Sequence, residues 1–286
     1  SDMKKLIIAG RSNQPLAKKI CQLSQNKWAK IAIANFYDGE INITIQDDLK
    51  NQDIFIVQST CPPVNENIME LLLICDAAKR SQAKSLNLVI PYFGYSRKER
   101  MTQLGEPISA KLIANTYQIF PINKIITVDL HSPVIQGFFN IPVVNISTIE
   151  LLTREFKKLR VKNLVVVSPD IGGTKRARNF ASLLDVPVAI IEKHRLISQK
   201  DKIKLLNLIG EVKNKNILIV DDLISTGSTM AEAIKLLKNK SSKNIFIAVS
   251  HIVVPSEVKK TLEKMPVQKI FTTDSVPIAQ EDQEIG

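Results

Sequence analysis

The segment NILIVDDLISTGST, residues 216–229, joins an apolar run to two adjacent acids and a turn rich in hydroxyl groups. Ile217 to Val220 form a continuous apolar run, which is typical of a strand inside a parallel sheet. Asp221 and Asp222 are therefore expected at the carboxyl end of that strand. Residues 230–238 have helical spacing, so the turn is expected to end at a helix N-terminus. This order of strand, turn and helix predicts an α/β fold.

The turn also has the chemistry of an anion site. Backbone N–H groups at a helix N-terminus, together with the hydroxyls of Thr226, Ser228 and Thr229, suit a phosphate. Gly227 permits a positive φ and a close approach of the backbone. The two carboxylates suit the hydroxyls of a sugar attached to that phosphate, or a shared metal. The spacing alone is equally compatible with acids that cap a helix before an ordinary loop.

The rest of the chain repeats the same alternation of short apolar strands and helical patterns. This alternation predicts parallel sheets with helices on both faces. A chain of 286 residues with 44% apolar content divides naturally into two domains, which we place at 1–145 and 146–286. The segments that begin at Asp53 and Asn216 share the order strand, polar turn, helix, strand, so we expect two copies of one unit.

Composition narrows the class of protein. The net charge of +11 comes from scattered Lys and Arg residues without interleaved aromatic residues, so we expect no nucleic-acid partner. No apolar run reaches membrane-spanning length and the N-terminus has no signal pattern, which predicts a cytoplasmic protein without a membrane partner. The three cysteines form no C-x-x-C pair, so buried thiols are expected rather than disulfides or a zinc site.

The 216–229 segment resembles the phosphoribosyl diphosphate motif, which type I phosphoribosyltransferases and ribose-phosphate diphosphokinases share. Further segments resemble only the diphosphokinases: FYDGEINI (36–43), QSTCPPVNENIMELLLICDAAKR (58–80), VIPYFGYSRKER (89–100), TVDLHSPVIQGFF (127–139), SPDIGGTKRAR (168–178) and EKHR (192–195). These segments extend over nearly the whole chain. The sequence is therefore similar to the ribose-phosphate diphosphokinase family.

The resemblance implies a fold and an activity. The fold would be α/β, with two tandem type I phosphoribosyltransferase-like domains, each a mainly parallel sheet flanked by helices. The activity would be transfer of the diphosphoryl group of ATP to the C1 hydroxyl of ribose 5-phosphate, giving 5-phosphoribosyl 1-diphosphate and AMP, with Mg²⁺ as cofactor. The first half would serve ATP and assembly, and the second half would hold the sugar. The resemblance also implies a homo-oligomer, a dimer or hexamer, whose adenine site is shared between subunits.

The resemblance assigns roles to particular residues. Lys193 and Arg195 would be catalytic, in a loop that closes over the substrates. The expected ATP-binding residues are Phe36, Asp38, Gly39, Glu40, Arg97, Lys98 and His131. The expected residues for ribose 5-phosphate are Arg195, Asp221, Asp222, Ser225, Thr226, Gly227, Ser228 and Thr229. The expected metal-side residues are His131 and Asp170.

His131 can be read either as a packed side chain or as an ATP-side or metal-side residue. A lone histidine after an apolar strand is usually only packed, and Mg²⁺ prefers the oxygens of Asp170 to imidazole nitrogen. Because His131 and Asp170 each follow a strand-like run, we expect both at one sheet edge.

Ser225 and Ser228 stand where the family has aspartate and glycine. A non-catalytic regulatory homologue and a phosphoribosyltransferase are the alternative functions.

Overall fold

The computed structural model describes the backbone of residues 5–197, 202–253 and 264–277, and the side chains of these residues except 194–197 and 202–205. The chain divides into two compact units. Residues 5–146 and 274–277 form the first unit, and the described residues of 147–273 form the second.

The first unit is built on a six-stranded parallel sheet with strand order β2-β1-β5-β6-β7-β8. Its strands are β1 Leu6–Ala9, β2 Lys27–Trp28, β5 Asp53–Val57, β6 Ser85–Ile90, β7 Ile122–Val128 and β8 Val143–Ile146. An antiparallel hairpin is formed by β3 Ile31–Asn35 and β4 Ile41–Ile45. The helices are α1 Gln14–Leu23, α2 Val64–Arg80, α3 Ser109–Tyr117 and the 3-10 helix Pro133–Phe138.

The second unit is built on a sheet with strand order β11-β10-β9-β12-β13-β14. Its strands are β9 Leu164–Ser168, β10 Val188–Ile197, β11 Lys202–Ile209, β12 Asn216–Ile224, β13 Ile245–Ile252 and β14 Lys269–Phe271. All neighbours are parallel except β10 and β11, which form an antiparallel pair. The helices are α4 Ile149–Lys157, α5 Thr174–Leu184 and α6 Ser228–Asn239.

Each sheet is covered by apolar side chains on both faces. In β12, Ile217 and Ile219 join one buried cluster, whereas Leu218 and Val220 join another. This alternation follows from the two-residue period of a strand. A strand that is covered on both faces needs apolar residues at every position, which explains the unbroken apolar run. The sequence-based prediction of parallel sheets flanked by helices is confirmed.

The strand orders of the two units correspond. The comparison leaves out the hairpin β3–β4 and the edge strands β8 and β11. The order is then β2-β1-β5-β6-β7 in the first unit and β10-β9-β12-β13-β14 in the second. In this correspondence the β5–α2–β6 segment matches the β12–α6–β13 segment. The two-copy hypothesis requires this agreement in strand order.

The C-terminal segment differs from the sequence-based division, which placed all of residues 146–286 in the second half. Residues 274–277 belong to the first unit. Asn13 donates a hydrogen bond from Nδ2 to the Asp274 carbonyl at 2.7 Å, and Ser59 donates from Oγ to the Ser275 carbonyl at 2.6 Å. Because Ser59 is fully buried and Asn13 is nearly so, these bonds replace lost hydration and hold the segment in place.

Among the described residues, we find no helix with the length and apolar character needed to cross a membrane.

All three cysteines are free, and their side chains are buried, which agrees with the expectation of buried or half-buried thiols. Burial raises the pKa of the Cys75 thiol to about 12, and it also raises the thiol pKa values of Cys61 and Cys21. Since the thiolate is the reactive form, we expect the native protein to react with a disulfide reagent at pH 8 at least about tenfold more slowly than the denatured protein. Thiol titration with and without guanidinium measures this ratio. Rapid native modification of any cysteine would contradict the prediction.

Candidate active site

The paired acids lie on β12, which is longer than the sequence suggested. The strand continues past Val220 to Ile224, because β13 pairs with it as far as Ile252. Pairing with β9 on the other side ends at Ile219. Asp221 and Asp222 therefore occupy the part of the strand that extends beyond β9, rather than following its end. Asp222 is 8% exposed and Asp221 is half-buried.

The surroundings of Asp221 disfavour its charged form. Burial, followed by the charge of Asp222, raises the pKa of Asp221 to about 8. The charge of Asp170 contributes in the same direction, whereas a hydrogen bond from the Asp222 amide to Asp221 Oδ1, 2.9 Å long, opposes it. The carboxylates therefore form a group that would be stabilised by hydroxyl donors or by a cation.

The hydroxyl-rich turn leads into α6 as predicted. Gly227 has φ of +73° and is the residue immediately before the helix, which starts at Ser228. The hydroxyls of Thr226 and Ser228 lie 2.8 Å apart, and both residues are exposed. The first amides of a helix have no acceptor within the helix, and the helix dipole is positive there. The turn can therefore receive a phosphate from the solvent side.

Asp170 lies in a tight turn after β9 and before α5. Its Oδ1 accepts a hydrogen bond of 2.9 Å from the Gly173 amide, and its carbonyl accepts one of 2.6 Å from Ser168 Oγ. A Cβ at Gly173 would come within 2.7 Å of Ser168 Oγ, so a larger residue there would displace the Ser168 hydroxyl. The Gly173 amide holds the Asp170 carboxylate in the turn.

The EKHR segment is part of a β-hairpin. The sequence-based prediction that Lys193 and Arg195 follow a strand and lie in a loop is wrong for the backbone, because β10 runs to Ile197 and pairs with β11 in register from Ile190↔Ile209 to Ile197↔Lys202. Lys193 Nζ lies 3.7 Å from Glu232 Oε2 of α6. Glu232 was not singled out from the sequence, since only the fold brings α6 beside β10. The Arg195 side chain lies outside the described residues.

The expected adenine-binding residues occupy the tip of the β3–β4 hairpin. The Phe36 amide donates to the Glu40 carbonyl at 2.8 Å, and Gly39, with φ of +94°, closes the turn with a 3.0 Å bond to the Phe36 carbonyl. Asp38 accepts a 3.1 Å bond from the Glu40 amide. Phe36 is 55% exposed, so its ring is accessible for stacking.

Arg97 and Lys98 lie in the segment between β6 and α3. Arg97 is exposed. Lys98 forms an ion pair with Glu106, with Nζ and Oε2 2.7 Å apart. Hydrogen bonds from Lys98 and Thr102 lower the pKa of Glu106 to about 2. Lys98 thus organises this segment, and Arg97 is the more accessible cation.

His131 is exposed just after β7 in the first unit, whereas Asp170 follows β9 in the second. The expectation that both residues end strands of one sheet is wrong, because β7 and β9 belong to different sheets. Among the residues that the structure describes, no cluster of three or more His, Cys, Asp and Glu side chains is arranged to hold a metal ion.

Family models match both units. The model for the N-terminal domain of ribose phosphate pyrophosphokinase matches residues 5–120, and the phosphoribosyl transferase domain model matches residues 139–282. With the motif of β12 and α6, these matches define an enzyme of the phosphoribosyltransferase fold class with two such domains.

Individual relatives specify the family. The chain is 40% identical over 273 residues to the ribose-phosphate pyrophosphokinase of Thermosipho africanus, covering 94% of this chain and 85% of that one. It is also 40% identical to the enzyme of that name from Fusobacterium nucleatum, with 96% and 87% covered. The structure matches phosphoribosylpyrophosphate synthetase from Mycobacterium smegmatis with a TM-score of 0.90 at 32% identity, covering 98% of this chain and 92% of that one.

The chain belongs to the ribose-phosphate pyrophosphokinase family, which is the family that the sequence motifs resemble. It is an enzyme of phosphoribosyl diphosphate synthesis.

Proposed function

We propose that the enzyme converts ATP and ribose 5-phosphate to 5-phosphoribosyl 1-diphosphate and AMP, with the sugar held by the second unit and ATP by the first. The observation that carries the proposal is the arrangement on β12 and α6. A half-buried and a buried carboxylate near the end of β12 are followed, after a short turn, by the hydroxyl-rich N-terminus of α6. A sugar phosphate offers hydroxyl groups to the carboxylates and a phosphate dianion to the turn.

The turn would hold the 5-phosphate. The hydroxyls of Thr226, Ser228 and Thr229 and the first amides of α6 are hydrogen-bond donors, and Gly227 allows the backbone to come close. Asp221 and Asp222 would accept hydrogen bonds from the ribose hydroxyls. Ser225 lies between the acids and the turn and would supply a hydroxyl where the family has a carboxylate.

The chemical step moves a diphosphoryl group. The C1 hydroxyl oxygen forms a bond to the β-phosphorus, the hydroxyl proton passes to solvent, and the bond from the β-phosphorus to the oxygen bridging the α-phosphate breaks. AMP leaves with that electron pair. Negative charge increases on the phosphate oxygens during this step, and cationic side chains placed beside them lower the barrier. We assign this role to Lys193 and Arg195, and Arg97 to the triphosphate.

The Asp170 carboxylate is the kind of hard oxygen ligand that Mg²⁺ prefers. Its charge also contributes to the raised pKa of Asp221, so a cation beside Asp170 would favour the charged form of Asp221. We propose that Asp170 binds the ion and that His131 takes part in ATP binding. When bound, Mg²⁺ offsets charge on the phosphates.

The exposed hairpin tip supports the remaining assignments. We propose that Phe36 stacks on adenine while Asp38, Gly39 and Glu40 form hydrogen bonds with it, and that Lys98 supports Arg97. Tyr37 is fully exposed beside Phe36, which suits a tip that reaches a neighbouring subunit. We therefore propose a homo-oligomer, at least a dimer. We also propose that the enzyme acts in the cytoplasm.

Product formation tests the proposal directly. Purified protein with ATP, Mg²⁺ and ribose 5-phosphate should yield AMP and phosphoribosyl diphosphate in equal amounts, resolved by anion-exchange chromatography. Omission of any one component should abolish both products. ATP binding without AMP formation would favour a regulatory homologue, and consumption of phosphoribosyl diphosphate with a free base would favour a phosphoribosyltransferase.

A further inference from the structure

Arg11 connects a buried carboxylate to the β1–α1 turn. Arg11 follows β1, and its Nε donates a hydrogen bond of 2.6 Å to Glu70 Oε2. Its backbone amide donates a second bond of 2.6 Å to Glu70 Oε1. The Glu70 side chain is 2% exposed, so these charge-assisted bonds form with little competition from water.

The Glu70 end of this connection is rigid. Gln58 Nε2 donates to Glu70 Oε1 at 3.1 Å, and Gln58 is fully buried. Glu70 lies on α2, whose neighbouring residues Leu71 and Ile74 are also fully buried. Moving the Arg11 guanidinium away would leave a buried carboxylate with its charge uncompensated, which is costly.

The other side of the guanidinium reaches the β3–β4 hairpin. Arg11 Nη1 donates a hydrogen bond of 2.7 Å to Oδ1 of Asn35, the last residue of β3. Asn35 Nδ2 in turn donates to the Gly39 carbonyl at 3.3 Å. A continuous series of contacts therefore runs from buried Glu70 through Arg11 and Asn35 to the tip at residues 36–40.

Apart from the hydrogen bonds within it, the tip has little packing support in the described part of the chain. Residues 34–40 are all exposed, whereas Ile31, Ile33, Ile43 and Ile45 pack their side chains against the core. The hairpin is a separate two-stranded sheet, an arrangement that is only marginally stable without such packing. The Arg11–Asn35 hydrogen bond lies at the boundary between the packed strands of the hairpin and its exposed tip.

We propose that Arg11 is a positioning residue for nucleotide binding, which fixes the orientation of the hairpin tip through Asn35. This inference rests on the proposed role of Phe36, Asp38 and Glu40 in adenine binding. A tip that is ordered before binding loses less conformational entropy when the nucleotide arrives. Loss of the bond therefore weakens ATP binding and leaves the chemical step and sugar binding unchanged.

Asn35→Ala provides the cleanest test, because it removes the acceptor and leaves the Arg11–Glu70 pair intact. The expected result is an increase of about five- to tenfold in KM for ATP, with kcat and KM for ribose 5-phosphate within twofold of the parent. Asn35→Asp keeps the Oδ1 acceptor for Arg11 but lacks the Nδ2 donor to the Gly39 carbonyl, so its KM for ATP should lie between those of the parent and Asn35→Ala. Asn42→Ala, an exposed asparagine on the opposite strand, is the matched control.

Arg11→Met and Phe36→Ala separate the possible failures. Arg11→Met should raise KM for ATP and also lower Tm, since Glu70 loses the guanidinium that compensates its charge. If Phe36→Ala raises KM for ATP but Asn35→Ala does not, the positioning role is refuted and the adenine site stands. If neither variant changes KM for ATP, the adenine site itself is refuted. Equal changes in both KM values and in Tm for Asn35→Ala would show a merely structural role.

Discussion

Replacing Lys193 with alanine is expected to lower kcat for AMP formation by about 10²–10³-fold, the usual loss when one donor to developing negative charge is removed. The KM values should change less, because the proposed contact strengthens as charge increases on the phosphate oxygens. Steady-state assays with each substrate varied in turn measure both parameters.

Two comparisons distinguish catalysis from structure. Glu232→Gln removes the same 3.7 Å ion pair but keeps the lysine, so its kcat should stay within a few-fold of the parent. Lys213→Ala changes an exposed lysine in the turn before β12, at the strand end opposite the acids, and should leave kcat unchanged. An equal loss of kcat in Lys193→Ala and Glu232→Gln would show that the ion pair acts as a structural contact. It would contradict a direct role of the lysine charge in the reaction.

Asp221→Asn is expected to have opposite effects on activity and stability. Activity should fall by at least about tenfold, since the proposed hydrogen bonds to the ribose hydroxyls involve a charged acceptor. Stability without Mg²⁺ and substrates should increase above about pH 4, because the substitution removes the cost of placing a half-buried acid beside Asp222. An increase in stability accompanied by a loss of activity would mark a residue that is placed for function.

The pH dependence of this stability change has a definite sign. The pKa of Asp221 is raised from an ordinary value near 3.8 to about 8 in the folded protein. Between these values the folded state keeps a proton that the unfolded state has lost, so the contribution of Asp221 to stability falls as pH rises and is fully lost above about pH 8. The benefit of Asp221→Asn should therefore be largest at pH 8 and vanish near pH 4.

Thermal unfolding at several pH values gives the magnitude. One pKa unit corresponds to about 1.4 kcal/mol, so we expect a gain of at least about 1 kcal/mol at pH 8. This gain corresponds to an increase in Tm of about 2–4 °C. Glu211→Gln, which changes an exposed carboxylate before β12, serves as control and should leave Tm unchanged. A lower Tm for Asp221→Asn at pH 8 would contradict the proposed electrostatics.

The sequence predicted the parallel sheets and the strand–turn–helix motif because these depend on local pattern. An apolar run covered on both faces has a recognisable composition, and Gly227 stands where the turn needs positive φ. Strand ends were less predictable. Asp221, Asp222, Lys193 and Arg195 lie within strands because β13 and β11 continue alongside them, and nothing in the local residues shows how far a neighbouring strand extends.

By itself, the sequence thus determined the α/β class, the two-unit organisation, the family and the motif of acids and phosphate turn. Only the tertiary structure decided which distant side chains meet: Glu232 with Lys193, Arg11 with Glu70 and Asn35, and residues 274–277 with the first unit. Periodicity records whether a residue is buried, because burial acts on each position separately. A contact between distant residues depends on the paths of both segments through the fold, which no local pattern contains.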